Sequence, residues 1–330
     1  MASRESTEEI ELFCRIFNGV HGSVDKGLLT NSNECVVVKH IRLSIHQPQR
    51  ELQIQRLKAN FDFTATLQHR NLVREIHHQE CEHDKDLAIN LEPWRYEVIM
   101  EFVAGENLHD FSSTNVITAP QLQDIVVQMV AGLDYLHAHR YAHRDLRGAN
   151  IMISINAQGD PHIQFTGMGH VAVALDRPSG AQRERGAWLF LAPERITGEC
   201  ILDESGEVAL RGDMWSLGCV VLEVINGGWP EFCQEDGDGE RRLLTDDVKV
   251  LLFVGNGGVP TVSALLPTEI QDFVGKCLCR NPRERCMTKE LKMNAFLNCC
   301  KDTVSQWDLP QRVRQEADPF LYRNCSRFRR

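Results

Sequence analysis

Several features are scarce or missing in this chain of 330 residues. No apolar run approaches the ~20 residues of a membrane helix; stretches such as Val250-Leu251-Leu252-Phe253-Val254 fall far short, and no membrane insertion is expected. The opening residues, Met1-Ala2-Ser3-Arg4-Glu5-Ser6-Thr7-Glu8-Glu9, hold no apolar signal-peptide core. Glycine (23) and proline (12) are too few for a collagen-like or low-complexity chain. Positive charge is also short: 36 Lys and Arg face 46 Asp and Glu, a net −10, which argues against nucleic acid or an anionic membrane as partner. The 12 cysteines show no paired spacing, so reduced, mostly buried thiols and a cytoplasmic location are expected. His77, His78, Cys81 and His83 match no paired-ligand zinc spacing and are expected in a polar loop.

What is present is a globular composition, 42% hydrophobic and 25% charged, long enough for one large or two small domains. Residues 10–103 show strand signals around one or two helices. Val36-Val37-Val38-Lys39 is a β-branched run, and Tyr96-Glu97-Val98-Ile99-Met100-Glu101-Phe102-Val103 is a second strand before Gly105. The pattern then turns helical. Leu122, Ile125, Val126, Met129, Val130, Leu133 and Leu136 recur at helical spacing behind Thr118-Ala119-Pro120. Asp213 to Ile225 is apolar nearly all round, a helix buried on every side and stopped by Gly227-Gly228. Residues 231–240 are acidic and Gly-rich, a solvated loop, and residues 301–330 form a polar tail ending in Arg-Phe-Arg-Arg. The expectation is an α+β chain with a small β-rich lobe and a larger helical one.

Five stretches occur in fixed order: Gly19-Val20-His21-Gly22-Ser23-Val24, Val36-Val37-Val38-Lys39, His143-Arg144-Asp145-Leu146-Arg147-Gly148-Ala149-Asn150, Ala192-Pro193-Glu194, and Asp213-Met214-Trp215-Ser216-Leu217-Gly218. Together they resemble the protein-kinase signature set. Arg147-Gly148-Ala149-Asn150-Ile151 and Phe253-Val254-Gly255-Asn256-Gly257-Gly258 are similar to the MAP kinase kinase kinase (MEKK-like) group. The resemblance implies a bilobal kinase-like fold: an N-terminal extension over residues 1–11, then a domain over 12–300 with N-lobe 12–103, hinge 101–106 and C-lobe 107–300. By the same resemblance Asp145 stands at the catalytic base, Asn150 at a metal ligand, and Lys39 at the lysine that reaches the nucleotide phosphates. Gly19, Gly22, Val24, Val37, Lys39, Met100, Glu101, Val103 and Met152 would line the nucleotide site. Glu194 and Arg285 match a buried ion pair, and Asp213 the acid that ties the buried helix to the catalytic loop.

Single residues then depart from the pattern. Where the family has a metal-binding Asp-Phe-Gly, this chain has Gly167-Met168-Gly169. Gly167 has no side chain to ligate a cation, and magnesium demands oxygen ligands in near-octahedral geometry. Asp160 lies at the far end of the preceding strand, roughly 20 Å away at ~3.3 Å per residue. The acid expected to hold Lys39 falls on Asn60, Asp62 points to another helix face and Glu51 is too early, so Lys39 is expected to lack an ionic partner. Phe17 replaces the first glycine of the phosphate loop and Val37 the usual alanine over the adenine. The segment between Gly169 and Ala192 keeps only Ser179 as a hydroxyl residue, has Gly186-Ala187 where the family has Gly-Thr, and carries Arg177, Arg183 and Arg185. Weak ATP binding and impaired magnesium binding follow. The reading is a pseudokinase acting as scaffold or allosteric partner of MAP kinase cascade kinases. Two alternatives stay open: a weak serine/threonine kinase using Asp145, and a nucleotide-sensing module without turnover. Asp145 and Asn150 serve either chemistry or only the stability of their loop.

Overall fold

A computed structural model describes residues 9–19, 22–43, 47–82, 94–168, 186–198, 206–235 and 240–310. The Arg177, Ser179, Arg183 and Arg185 segment, Gly169, Val20, His21 and His83 lie outside the described residues.

The first part is a five-stranded antiparallel sheet, β1 (Ile10–Gly19), β2 (Gly22–Leu29), β3 (Cys35–Arg42), β4 (Glu75–Glu82) and β5 (Trp94–Glu101), in the order β1-β2-β3-β5-β4. Alternation along β3 sends Val36 and Val38 to one face, where they pack with Leu29 and Ile99. Ile41 faces α1 (Gln47–Thr64), whose Leu57 and Phe61, one turn apart, close on Ile41, Leu43, Tyr96 and Val98.

After two short elements, β6 (Glu106–Asn107) and α2 (Leu108–Thr114), comes α3 (Ala119–Ala138). Thr118 caps α3 in a reciprocal box with Gln121, as its start signal predicts. β7 (Ile151–Ile155) and β8 (Pro161–Phe165) form a hairpin with β6 alongside. Asn71 joins the two sheets: its carbonyl accepts from Phe165 N at 2.8 Å and its Nδ2 donates to the Ile163 carbonyl at 2.7 Å.

The second part is helical: α4 (Pro193–Thr197), α5 (Glu207–Asn226), α6 (Asp247–Gly255), α7 (Thr268–Cys277), α8 (Thr288–Leu291), α9 (Ala295–Asn298) and α10 (Lys301–Val304), with strands β9 (Cys233–Glu235) and β10 (Arg241–Leu243) between α5 and α6. α5 is buried from Gly212 to Ile225 and ends at Gly227, whose left-handed backbone (φ 61°) suits glycine. It begins six residues before Asp213, and in this added stretch Arg211 pairs with Glu207 at 2.7 Å.

Four local expectations differ from the structure. His77, His78 and Cys81 lie on strand β4, and His78 Nδ1 and the Tyr96 hydroxyl are 2.6 Å apart. The acidic stretch after Glu231 supplies β9, paired with β10. Packing continues beyond residue 300, with Val304 buried and Trp307 beside Phe296. Among the described cysteines only Cys219 and Cys277 are buried, and all are free thiols. No helix among the described residues is long and apolar enough to cross a membrane.

Candidate nucleotide and catalytic-loop site

The loop from His143 to Asn150 is held from below by two buried carboxylates of α5. Asp213 Oδ2 accepts from His143 N at 2.7 Å and lies 3.0 Å from His137 Nε2, while Oδ1 accepts from Arg144 N at 2.7 Å. Burial alone would raise the Asp213 pKa, but these partners outweigh it and hold it below the ordinary carboxylate range. Glu223 Oε2 accepts from Gly148 N at 2.9 Å, and its Oε1 lies 2.6 Å from His109 Nδ1. A Cβ on Gly148 would meet Glu223 Oε2 at 2.5 Å, so this close approach requires glycine. Burial lowers the pKa of His143, and its neutral ring faces the Thr166 carbonyl from Nε2 at 3.0 Å. Sequence reasoning missed Glu223, the second buried carboxylate of a mostly apolar helix.

Asp145 and Asn150 face each other across this loop. Asn150 Nδ2 donates to Asp145 Oδ2 at 2.7 Å and to the Asp145 carbonyl at 2.8 Å; Arg147 Nε lies 3.7 Å from the same Oδ2. Gly167 is next to Asn150, with a left-handed φ of 80°, and a Cβ built there would sit 3.1 Å from Asn150 Cγ. The position from which an acid would meet Asn150 is therefore a bare backbone. Met168 is buried in the main core, and its carbonyl accepts from Tyr141 Oη.

The cleft between the sheets carries the other predicted positions. Cα partners on neighbouring strands share a face. Phe17, Val24, Lys39 and Val98 form one such row across β1, β2, β3 and β5, and Val37, Met100 and Glu75 form the next across β3, β5 and β4. Val24, Val37, Met100, Glu101, Val103 and Met152 are all half-buried. Phe17, 41% exposed, stands opposite Val24, so an aromatic ring shares the face on which a glycine would leave room for phosphate. Gly19 and Gly22 are paired at the end of the β1–β2 hairpin. A Cβ on Gly22 would lie 1.8 Å from the His40 carbonyl oxygen, so strand packing alone demands glycine there. Glu101 leaves the sheet toward the helical part, its Oε1 accepting from Arg74 N and Gln164 Nε2, each at 3.0 Å.

Lys39 is not without a charged neighbour. Glu75, on β4, is only 8% exposed, and the Lys39 charge acts on it. Burial pushes its carboxyl up to about 7, against smaller opposing effects of Thr64 and Lys39. The expected isolation of Lys39 is therefore corrected: an acid is present on the sheet, where a search along the following helix does not find it. Farther off, Glu194 and Arg285 form the expected buried pair, with contacts of 2.7 and 3.0 Å.

For a nucleotide, the residues expected at the adenine side fit: Val24, Val37, Met100 and Met152 are apolar and half-buried. The magnesium side does not fit. Among the described residues it offers the Asp145 carboxylate and the Asn150 amide oxygen, and Gly167 adds no ligand.

A family model described as "Protein kinase domain" matches residues 12–297. The chain is 27% identical over 289 residues to "Serine/threonine-protein kinase ste20" of Aspergillus fumigatus, covering 87% of this chain and 31% of that protein. It is 28% identical over 283 residues to "Mitogen-activated protein kinase kinase kinase YODA" of Arabidopsis thaliana, covering 84% of this chain and 28% of that protein. The chain thus spans about a third of the length of such curated relatives. Among solved structures, "Rad53 1-466 in complex with AMP-PNP" superposes with a TM-score of 0.62 at 20% identity, over 87% of this chain and 65% of that one.

Proposed function

The chain belongs to the protein kinase family, and from that premise we propose that it acts as a pseudokinase, working by binding rather than by phosphoryl transfer. Residues 12–300 would form the working unit, hinged at 101–106. The observation that carries this reading is that a side chain at position 167 would meet Asn150, and the residue there is Gly167, which offers a divalent ion no acid. Phosphoryl transfer depends almost wholly on positioning and charge neutralisation, so losing that acid removes one of the groups that hold the neutralising metal. Ala187, buried where the family has a hydroxyl residue, and Phe17 over the phosphate region point the same way.

The adenine-side residues Val24, Val37, Met100 and Met152 support weak nucleotide binding that needs no magnesium. The kinase fold, with a relative solved in complex with AMP-PNP, adds to this. The names of the relatives, Ste20-type and MAP kinase kinase kinase, favour protein partners in a MAP-kinase-type cascade; a cytoplasmic location belongs to the same reading. A second reading, a weak serine/threonine kinase, is favoured by one arrangement: Asp145 stands on a loop anchored at both ends by Asp213 and Glu223.

Two measurements separate these. Phosphate incorporation into a generic protein substrate is compared between wild type and Asp145→Ala; no difference is expected, and signal abolished by the substitution refutes the pseudokinase reading. Equilibrium dialysis with labelled ATP, with magnesium or with chelator, is expected to give the same weak affinity. A strong dependence on magnesium would show that the cleft assembles a metal site after all.

A further inference from the structure

In a kinase-like cleft the β3 lysine needs an acid to hold it toward phosphate, and Asn60 occupies the position aligned with that acid. Asn60 is committed elsewhere: Oδ1 accepts from the Tyr141 hydroxyl at 2.8 Å, and Nδ2 reaches the Met168 carbonyl at 3.5 Å. Asp62 is turned away, its carboxylate exposed and 3.2 Å from His78 Nε2. Glu75 is different. It lies on the same face of the sheet as Lys39, two strands across and one row along. Strand spacing puts their α-carbons roughly 12 Å apart, within the combined reach of a lysine and a glutamate. Glu75 is buried against α1, where the Thr64 hydroxyl meets its Oε2, and the Lys39 charge bears on it.

We propose that Glu75, reaching from the sheet, is the carboxylate that positions Lys39, in place of an acid at the Asn60 position. The consequence for phosphates rests on reading the cleft as a nucleotide site; the pair itself does not.

The hydroxyl of Thr64 gives this pair two states. Thr64 Oγ1 lies 3.1 Å from the Asn60 carbonyl as well as against Glu75 Oε2. A hydroxyl has one proton to donate. Both contacts are hydrogen bonds only when the Glu75 carboxyl is protonated and donates to Thr64, whose own proton goes to Asn60. When Glu75 ionises, Thr64 turns its proton to the carboxylate, and the negative charge faces Lys39. The polar and charged groups around Glu75 are Lys39 from β3, Tyr96 from β5, Tyr141 from the segment after α3, and Thr64 and Asn60 from α1. Burial raises both tyrosines, Tyr96 to about 12, so neither titrates alongside Glu75.

The test is a double-mutant cycle of Lys39→Met and Glu75→Gln, read by thermal unfolding of the full chain near pH 8.5 and near pH 5.5. At the higher pH, Lys39→Met is expected to lower the melting temperature in wild type and to have little effect beside Glu75→Gln. At the lower pH the two backgrounds should respond alike. Equal responses at both pH values would overturn the pair. The second arm measures ADP binding in chelator by calorimetry. Glu75→Gln is expected to weaken binding about tenfold near pH 8.5, the change that one pKa unit of interaction brings, and to leave it unaltered near pH 5.5. The nucleotide's own titration is common to both proteins and drops out of the ratio. Binding that falls with Lys39→Met but is indifferent to Glu75→Gln at both pH values would overturn the positioning role. If wild type binds no ADP, the nucleotide reading fails instead, and the unfolding cycle alone decides the pair.

Discussion

Replacing Glu75 by glutamine should stabilise the fold, and by an amount that depends on pH. The carboxyl of Glu75 is raised from an ordinary 4.5 to about 7 because burial disfavours its charge. Below about pH 4.5 both the folded and the unfolded chain carry the proton, and the residue is neutral in the balance. Between about 4.5 and 7 the unfolded chain has lost it while the folded one keeps it. The native state then binds more protons than the unfolded, and stability falls as pH rises. Above about 7 both states are ionised and the penalty is constant. One pKa unit corresponds to about 1.4 kcal/mol, so the full penalty is roughly 3 kcal/mol; Glu75 is 8% exposed, so solvent screening removes little of it. Glutamine keeps the shape, can donate to Thr64 as the protonated acid does, and cannot ionise. Relative to wild type, Glu75→Gln should therefore gain nothing near pH 4.5 and roughly 3 kcal/mol near pH 8, or roughly 5–10 °C in melting temperature. Urea or thermal unfolding of both proteins across that range measures the difference, in which titrations elsewhere cancel. A difference that stays flat with pH would refute the argument that Glu75 is buried at a cost.

Three further outcomes are expected. Glu194→Ala leaves the guanidinium of Arg285, itself fully buried, without its carboxylate; a loss of about 3–5 kcal/mol should appear in urea unfolding, and a loss below 1 kcal/mol would mean that the carbonyls of Cys279 and Arg211 hold Arg285 unaided. Gly186→Ala puts a Cβ 2.6 Å from the Trp229 ring at a φ of 83°; a cost of about 1–3 kcal/mol is expected, and an unshifted melting temperature would show that Trp229 gives way freely. Gly167→Asp adds a carboxylate beside Asn150 at a left-handed φ that aspartate tolerates better than most residues. Calorimetry should then show nucleotide binding that tightens with magnesium, without ordinary turnover because Phe17 remains; normal kinase rates in this variant would show that Phe17 does not obstruct phosphate.

The parts of the site that were legible in the sequence are those fixed by local spacing. His143 to Asn150 is a continuous loop; beyond such spacing, Asp213, Glu194 and Arg285 are legible only through the resemblance to the kinase signature, and the partners their burial needs are what the structure adds. Gly167 is legible as a residue with no side chain to ligate a cation because a glycine has the same chemistry in any fold. Glu75 was not, because its relation to Lys39 is a matter of strand order: β5 is inserted between β3 and β4, and nothing in the linear chain reports that register. The neighbouring imidazoles of His77 and His78 gave β4 the polarity of a loop, although one face of the strand is packed on α1 and Tyr96. Glu223 was hidden for the opposite reason, as one carboxylate in a helix whose apolar pattern dominates any count.

How this fold can drop a metal ligand and keep its loop follows from who holds the loop. The backbone N–H groups of His143, Arg144 and Gly148 donate to Asp213 and Glu223, two carboxylates on α5 that lie beneath the loop and away from Gly167. Burying those charges is tolerable because each one accepts from a backbone N–H and faces a histidine, so neither is left uncompensated. None of these bonds involves residue 167. An acid there, without a cation, would add a second negative charge near Asp145 and press a Cβ onto Asn150. Removing it relieves both and leaves the anchoring intact. The bonds that anchor this loop are thus separate from position 167, as the proposed reading requires: a surface for a partner keeps its shape whether or not the loop supports phosphoryl transfer.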